Sequence, residues 1–528
     1  MELWKKIVRW AERSPRKTAL SVDGAGALTY SELRGSVASC ARRLPALRDK
    51  RVGILISNRP LWAVYDMALT LKGATVVPIP LFFSGEQAGH IVRDANLDCV
   101  VVEPGINFPG LHRVRIIEAD PAFERPVEAT ERERDIGPQT TPSGIAKIIY
   151  TSGTTGNPKG VMVTLRAIET VTESLRERTR AASDDVHLSL LPLSTLVEAI
   201  GGLYVALAAG ATVVYPEAGD TRSPASDTAQ SVKTLFKVRP TTLNLVPALL
   251  EGIVGAAEKN SGLPETLRFV ACGGAPLGST LIERAYFLGI PLYQGYGLSE
   301  CVTAVSLNSP DNNHPRSSGL PLRHVHVTVA QNGEIIVSGD ALMSGYLNEE
   351  GNKKICAWKT GDVGYMDEEG YLYVTGRKDS VFATAYGRNI SPEWIEEELV
   401  SSRAVRQAVV YGDGRPFLTA VIVPDYGWLR EVAGGVPAGA DRERLLDHPR
   451  ITEAVSEEVA SATSNLPGYA AIKAFVLARE AFSPENGLMT PDGRPRRDRI
   501  LAAYRDRLNG LYENHTKKKK EEDEYVIN

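Results

Sequence analysis

The sequence predicts an α/β protein: a large N-terminal domain of layered βα subdomains with a small β-rich part, then a small mobile α+β C-terminal domain. Three observations carry that expectation. Short apolar runs alternate with helix-period segments in the first half of the chain, as repeated βα units do. After Gly319 the runs shorten and are joined by turn residues. Gly376-Arg-Lys-Asp-Ser380 then interrupts the pattern with a polar stretch, and a compact α+β segment follows to about residue 512.

In order along the chain, Arg51-Val-Gly-Ile-Leu-Ile56 reads as a strand, Trp62–Leu71 as a helix and Ala74-Thr-Val-Val-Pro78 as the next strand. The strand signal recurs at Asp98–Val102, at Ala211–Tyr215 after a helical Leu203–Ala208, and at Leu267–Cys272. Such units imply parallel sheets with helices on both faces. The longest apolar stretch, Leu196–Tyr215, contains Glu198 and three glycines, Gly201, Gly202 and Gly210, and reads as a buried helix plus a strand rather than a membrane span. Glu334–Val337 and Gly370–Val374 read as short strands, with turns at Asn332-Gly333 and Asp367–Gly370. The expected division is residues 1–375, a hinge over 376–379, a lid domain over 380–512 and a disordered charged tail over 513–528. In the tail Lys517–Lys520 meets Glu521–Glu524, and no prenylation or peroxisomal signal is present.

Composition narrows the function classes. The 528 residues are 43% apolar and 23% charged, ordinary for a water-soluble globular protein. A net charge of −4 gives no global attraction for nucleic acid or an anionic membrane. The five cysteines, Cys40, Cys99, Cys272, Cys301 and Cys356, form no C-x-x-C pair, which speaks against a zinc site or a disulfide framework and suits a reducing, cytoplasmic compartment. The opening Met1-Glu-Leu-Trp-Lys-Lys6 lacks the apolar core of a secretory leader.

The chemistry concentrates in Tyr150-Thr-Ser-Gly-Thr-Thr-Gly-Asn-Pro-Lys-Gly160, between a strand at Ile145–Tyr150 and an apolar run at Val161–Thr164. A loop of this kind can wrap polyphosphate: glycines let backbone N–H groups approach, hydroxyls donate and Lys159 supplies charge. It is not the common P-loop, because its spacing differs from G-x-x-x-x-G-K-[ST] and Pro158 disfavours helix at Asn157. As a bare pattern it also fits an ordinary flexible turn.

The full string resembles the phosphate loop of the adenylate-forming superfamily, which includes acyl- and aryl-CoA ligases, peptide-synthetase adenylation domains and luciferases. Further motifs follow in that family's order: Leu28–Leu33, Tyr296-Gly-Leu-Ser-Glu300, Gly345-Tyr-Leu347, Thr360-Gly-Asp362, Gly376-Arg-Lys-Asp379, and Gly387-Arg-Asn-Ile-Ser-Pro392 with Ile395 and Glu396. The resemblance covers about residues 15–510. It implies that Thr151, Ser152, Gly153, Thr154, Thr155, Gly156 and Lys159 hold the β- and γ-phosphates of ATP. Glu300 is then a Mg²⁺ ligand, as hard cations take oxygen, and Ser299 donates to the α-phosphate. Asp362, an acceptor-only group, takes the ribose hydroxyls with Arg377 beside it. Gly274, Ala275 and Pro276 border adenine near Tyr296, and Thr195, Gly273, Gly297 and Gly387 belong to the substrate pocket. Lys159, Glu300, Ser299 and Arg494 are the implied catalytic set, because joining a carboxylate to the α-phosphate brings two anions together.

Two positions depart from the pattern. Thr195, in Leu191-Pro-Leu-Ser-Thr195, stands where many members carry His or an aromatic residue. Arg494, within Glu485–Arg497, stands where members carry a lysine that bridges the carboxylate and the α-phosphate. Arginine keeps the charge but spreads it over a planar fork. Arg494 therefore either still stabilises the transition state or marks altered first-half chemistry. The implied function is ATP- and Mg²⁺-dependent adenylation of a carboxylic acid, acyl or aryl, with pyrophosphate release, then transfer to CoA, a carrier protein or another acceptor. An ATP-dependent diazotase that activates nitrite and a non-catalytic nucleotide-binding homologue are the alternatives.

Overall fold

The computed structural model describes residues 1–107, 109–111, 114–125, 139, 143–151, 158–217, 228–260, 262–349, 355–386, 388–433, 446, 449–464, 466–490 and 494–513. Two mainly parallel sheets build the large N-terminal domain. One has nine strands, in spatial order Leu320–Pro321, Ser306–Leu307, Leu292–Tyr296, Phe269–Cys272, Thr242–Leu245, Val186–Leu188, Thr212–Tyr215, Thr18–Val22 and Ala27–Thr29. Its six central strands are parallel, and the pairings outside them are antiparallel. The other has six strands, in the order Arg115–Glu118, Cys99–Val102, Arg51–Leu55, Thr75–Pro78, Ile145–Thr151 and Lys159–Thr164, and only the last pair is antiparallel.

Helices fill the space between the sheets and cover both outer faces. The central layer contains Tyr30–Arg43, Pro60–Leu71 and Leu165–Arg178, packed with residues of both sheets into one core. Helix Tyr30–Arg43 starts at a capping box, in which Thr29 accepts from Glu32 N and the Glu32 carboxylate accepts from Thr29 N. Helix Pro60–Leu71 is buried along its whole length, which explains why Asp66 is its one charged residue. Gly85–Asp94 covers the far face of the six-stranded sheet, and Pro247–Asn260 and Ser279–Phe287 cover that of the nine-stranded sheet.

A charged group sits in the central layer. Asp66, on the fully buried helix, pairs with Lys147 of the strand Ile145–Thr151 and accepts from the Tyr204 hydroxyl. The Lys147 Nζ lies 5.4 Å from the Trp62 ring centroid and 5.6 Å from that of Tyr204. Burial, and then Asp66, holds the Tyr204 phenol well above its ordinary range, so it stays a donor.

The β-rich part is an antiparallel sheet of Val325–Val329, Glu334–Gly339, Ala357–Met366 and Leu372–Arg377. Gly333, at φ +80°, makes the expected Asn332-Gly333 turn. The small C-terminal domain packs Pro392–Val400, Tyr426–Ala433, Pro449–Ala462 and Arg497–Ala503 on the sheet Val405–Tyr411, Leu418–Pro424 and Ile472–Leu477. The α/β class with a large and a small domain is thus as the sequence indicates. Among the described residues no helix is long and apolar enough to cross a membrane.

Local differences have physical reasons. Leu372–Arg377 runs two residues into the expected polar break, because Arg377 pairs in register with Asp362 and Lys378 N donates to Gly361 O. The apolar stretch after Leu196 begins as a π-helix, Val197–Tyr204, before Val205–Ala209 becomes α-helical. Lys159 is the first residue of a strand, paired with Thr151, instead of a loop residue. Residues 514–528 of the expected tail lie outside the described residues.

Asp66→Ala leaves the Lys147 charge buried without its counter-ion and is expected to destabilise the N-terminal domain by about 3–5 kcal/mol. Denaturant unfolding followed by circular dichroism checks this, and a loss under about 1 kcal/mol would show that the pair does not hold the layer together.

Candidate active site

Strand ends and turns at one edge of the nine-stranded sheet bring the sequence-indicated residues together. Tyr296 ends its strand and donates from Oη to Asp362 Oδ2 at 2.5 Å. Asp362 sits across the ladder from Arg377, whose Nη1 donates to Asp362 Oδ1 at 2.7 Å. Thr360 Oγ1 accepts from Asp362 N at 3.0 Å and donates to Ile335 O at 2.8 Å, fixing the turn that presents the carboxylate. Burial and the neighbouring Asp362 push the Tyr296 phenol far up, so it is a permanent donor. Burial alone would lower Arg377, but Asp362 more than offsets it. Each Asp362 oxygen keeps lone pairs to spare for two further hydroxyls.

Glu300 and Lys159 form the second group. Ser299–Cys301 is one turn of 3₁₀ helix, and Glu300 Oε1 accepts from Tyr346 Oη at 2.6 Å. Lys159 Nζ lies 5.0 Å from the Tyr346 ring centroid and pairs with Glu349 at 3.1 Å, both charges half exposed. Ser344 N donates to Met162 O at 2.8 Å and Leu347 N to Gly160 O at 2.7 Å, laying the segment with Tyr346 along the strand that starts at Lys159. Past Glu300 the chain turns through Val302 at φ +53° and Thr303 at φ +84°, a left-handed pair that costs on the order of 1–3 kcal/mol per residue. Gly297 permits this turn, since a Cβ there would sit 1.6 Å from Thr303 O.

Gly273 faces Gly295 O, which a Cβ would approach to 2.8 Å, and Gly274 has φ +86°. Ala275 and Pro276 follow on an exposed loop. Thr195 turns its hydroxyl onto Pro192 O at 2.7 Å, at the start of the π-helix. Asn58 clamps the preceding segment: its Nδ2 donates to Leu191 O at 2.5 Å and its Oδ1 accepts from Leu193 N at 2.9 Å. Thr151 pairs with Lys159, while Ser152, Gly153, Thr154, Thr155, Gly156 and Gly387 lie outside the described residues.

Arg494 is exposed, in the C-terminal domain. Thr490 N donates to Arg494 O at 2.8 Å, and Thr490 Oγ1 accepts from Arg494 N at 2.9 Å. Arg497, three residues on, is drawn inward by a two-pronged pair with Glu396 at 2.6 and 2.7 Å. The domains touch where Ser279 Oγ donates to Glu398 Oε2 at 2.6 Å and where Gly278 leaves room for Ser401 and Glu397 O.

The sequence reading gave no role to Tyr346, Asn58 or Lys147. Gly345-Tyr-Leu347 contained the signal for Tyr346, but its contact with Glu300 spans 46 residues. Among the described residues no group of three or more His, Cys, Asp or Glu could hold a metal alone. Glu300 fits a different kind of ion: Mg²⁺ takes one or two carboxylates plus phosphate oxygens, and Tyr346 satisfies only Oε1.

Comparison with known proteins gives the family. Residues 7–347 match the family described as AMP-binding enzyme, and residues 379–516 match the AMP-binding enzyme C-terminal domain. The chain therefore belongs to the AMP-binding enzyme family. Its curated relatives are named as CoA ligases for long-chain fatty acids. It is 27% identical to a long-chain-fatty-acid–CoA ligase, FadD15, of Mycobacterium bovis, over 92% of each chain. Its fold matches the anthranilate CoA ligase AuaEII in complex with anthranoyl-AMP, with a TM-score of 0.75 and 18% identity over 95% of this chain and 96% of that one. It also matches the o-succinylbenzoate coenzyme A synthetase of Bacillus subtilis in complex with ATP and magnesium ion, with a TM-score of 0.73 and 24% identity over 93% and 98%.

Tyr346→Phe deletes the donor to Glu300 and keeps the ring under Lys159. A hydrogen bond to a charged group contributes about 1.5–3 kcal/mol, so a roughly tenfold or greater rise in KM for MgATP is expected, with little change in melting temperature. Steady-state kinetics at varied MgATP checks it; an unchanged KM would mean that Tyr346 does not orient Glu300.

Proposed function

We propose that the chain adenylates a carboxylic acid, acyl or aryl, with release of pyrophosphate, and then passes the acyl group to CoA or another acceptor. The observation that carries this reading is the line Lys159–Tyr346–Glu300, which joins the end of the phosphate loop to a carboxylate with a free oxygen. The relative's name, a CoA ligase for a fatty acid, supports the acid and the thiol acceptor.

In the adenylation step a carboxylate oxygen of the acid attacks the α-phosphorus. The bond from the α-phosphorus to the bridging oxygen breaks, and pyrophosphate leaves with the electron pair. No proton is transferred, so the task of the protein is to align two anions and neutralise charge. Asp362 and Arg377 hold the ribose, with Tyr296 fixing the Asp362 carboxylate. The loop Thr151–Lys159 takes the β- and γ-phosphates, and Lys159 exchanges its exposed partner Glu349 for them. Ser299 faces the α-phosphate. Glu300 would hold Mg²⁺, which when bound screens the phosphate charge. Gly274, Ala275 and Pro276 border adenine, and Thr195, Gly273, Gly297 and Gly387 contribute to the acid side.

Arg494 is brought to the reacting atoms by movement of the C-terminal domain about 376–379. Arg377 is held in a strand and Lys378 N donates to Gly361 O, so rotation falls on Asp379. We place the large domain at 1–375 and the lid at 380–512. Thr490 pins the backbone of Arg494 and so aims its side chain.

The reading is tested by product analysis with a panel of carboxylic acids, with nitrite plus an aromatic amine, and with neither. AMP and pyrophosphate formed with a carboxylic acid are expected, strictly dependent on Mg²⁺. ADP and phosphate as primary products, or turnover with nitrite alone, would overturn it. Lys159→Ala and Glu300→Ala are each expected to lower kcat/KM for MgATP by about 10²–10³-fold.

Arg494 is tested by single-turnover adenylate formation at saturating MgATP. Arg494→Ala is expected to slow the step by about 10²–10³-fold, and Arg494→Lys to retain it. Parent-like rates in Arg494→Ala would take this residue out of the site.

A further inference from the structure

On the adenylation reading the acid lies beyond the α-phosphate, along the carboxyl edge of the nine-stranded sheet. The strands Leu292–Tyr296, Phe269–Cys272, Thr242–Leu245, Val186–Leu188 and Thr212–Tyr215 are neighbours in that order and all parallel. Their carboxyl ends therefore share one edge, the side on which open α/β sheets bind ligands. Tyr296 and Gly273 occupy the nucleotide end of this edge. Ser189, just past its strand, stands two strands beyond Gly273, and Tyr215 stands three. At about 4.8 Å per strand these offsets are roughly 10 and 14 Å.

The register puts these side chains in one row. His187 lies opposite Val213 on one side and Thr242 on the other. Two residues on, Ser189, Tyr215 and Asn244 align on the same face, which is covered by the π-helix Val197–Tyr204. That helix lowers Glu198, with no exposed surface, onto the row. Glu198 Oε1 lies 3.1 Å from His187 Nε2, Asn244 Nδ2 lies 3.4 Å from Glu198 Oε2, and His187 Nδ1 lies 3.0 Å from Thr242 Oγ1. Gly202 keeps the helix this close, since a Cβ there would sit 2.6 Å from His187 Nε2.

Two hydroxyls of the row are unsatisfied. Ser189 Oγ and Tyr215 Oη are buried without a hydrogen-bond partner, at 1% and 0% residue exposure. Such groups are rare in folded proteins, because burying an unpaired hydroxyl costs free energy. Burial, with Glu198 and Glu124 nearby, keeps the Tyr215 phenol protonated. The row therefore offers two hydroxyl donors and a carboxylate with acceptor capacity left over.

We propose that Ser189, Glu198 and Tyr215 form the far wall of the acid pocket and select an acid that carries a hydroxyl or amino group remote from its carboxylate. This rests on the adenylation reading. A hydroxyl or amine can donate to Glu198 while accepting from Tyr215 or Ser189. An alkyl chain can do neither and leaves the three groups unpaired. Sites built to bond a substrate hydroxyl reject the analogue lacking it strongly, whereas apolar pockets discriminate weakly.

The test compares benzoate, 3- and 4-hydroxybenzoate, 3- and 4-aminobenzoate and dodecanoate by pyrophosphate release, in the parent, Tyr215→Phe and Ser189→Ala. Both substitutions delete a hydroxyl that has no partner, so folding is preserved. At least one hydroxy or amino acid is expected to exceed benzoate and dodecanoate in kcat/KM by about 100-fold or more. Tyr215→Phe should shrink that ratio at least about tenfold, the loss of one hydrogen bond. Preference for dodecanoate or benzoate in the parent, or a ratio unchanged in Tyr215→Phe and Ser189→Ala, overturns the proposal and leaves the row as a site for internal water. If no acid releases pyrophosphate, the adenylation reading fails by itself. Equilibrium dialysis of the labelled hydroxy and amino acids then decides the pocket: binding that weakens in Tyr215→Phe supports it, and absent or unaltered binding refutes it.

Discussion

Asp66 and Lys147 meet in the layer between the two sheets, on elements that are otherwise uncharged there. Asp66 belongs to the helix Pro60–Leu71, Lys147 to a central strand of the six-stranded sheet, and Tyr204, the third partner, to the helix resting on the nine-stranded sheet. Hydrophobic contact alone would let these layers slide, because it is non-directional. A buried charge with one counter-ion and one hydroxyl donor does not tolerate sliding, since any shift leaves an unpaired charge in an apolar medium. The two elements it ties together also lead into the chemistry. Lys147 lies four residues before Thr151, which pairs with Lys159, and Tyr204 ends the π-helix that begins just past Thr195.

Charge is handled differently at the candidate site. There each charged group has a partner it can keep or exchange. Asp362 keeps Arg377 and Tyr296 and retains acceptor capacity. Glu300 keeps Tyr346 on one oxygen. Lys159 pairs with a carboxylate in a half-exposed ion pair, which contributes little stability. Pre-set dipoles and charges of this kind need no rearrangement when charge develops in the reaction. The left-handed backbone at Val302 and Thr303 shows that the Glu300 turn is held at some expense by its surroundings.

Much of this was legible in the chain. Alternating short apolar runs gave the parallel sheets, because a strand buried on both faces must be apolar throughout. Asn332-Gly333 gave its turn, because only a residue tolerant of positive φ serves there. The grouping of Tyr296, Asp362 and Arg377 followed from motif order. Tyr346 lay in a quoted motif without a role, and Asn58 and Lys147 went unassigned. Their partners are 46, 133 and 81 residues away, and no local pattern encodes such a contact.

By itself the sequence determined the fold class and the residue types that gather around Tyr296, Asp362 and Arg377, since these depend on local propensity, periodicity and short motifs. Tertiary structure alone decided that Lys147 pairs with Asp66, that Tyr346 meets Glu300, and which hydroxyls were left without a partner. It extended a strand through Arg377, because a ladder partner and an ion pair at Asp362 outweigh a locally polar composition. It aligned Ser189, Tyr215 and Asn244 in one row, because strand register is a property of the assembled sheet and not of any one strand.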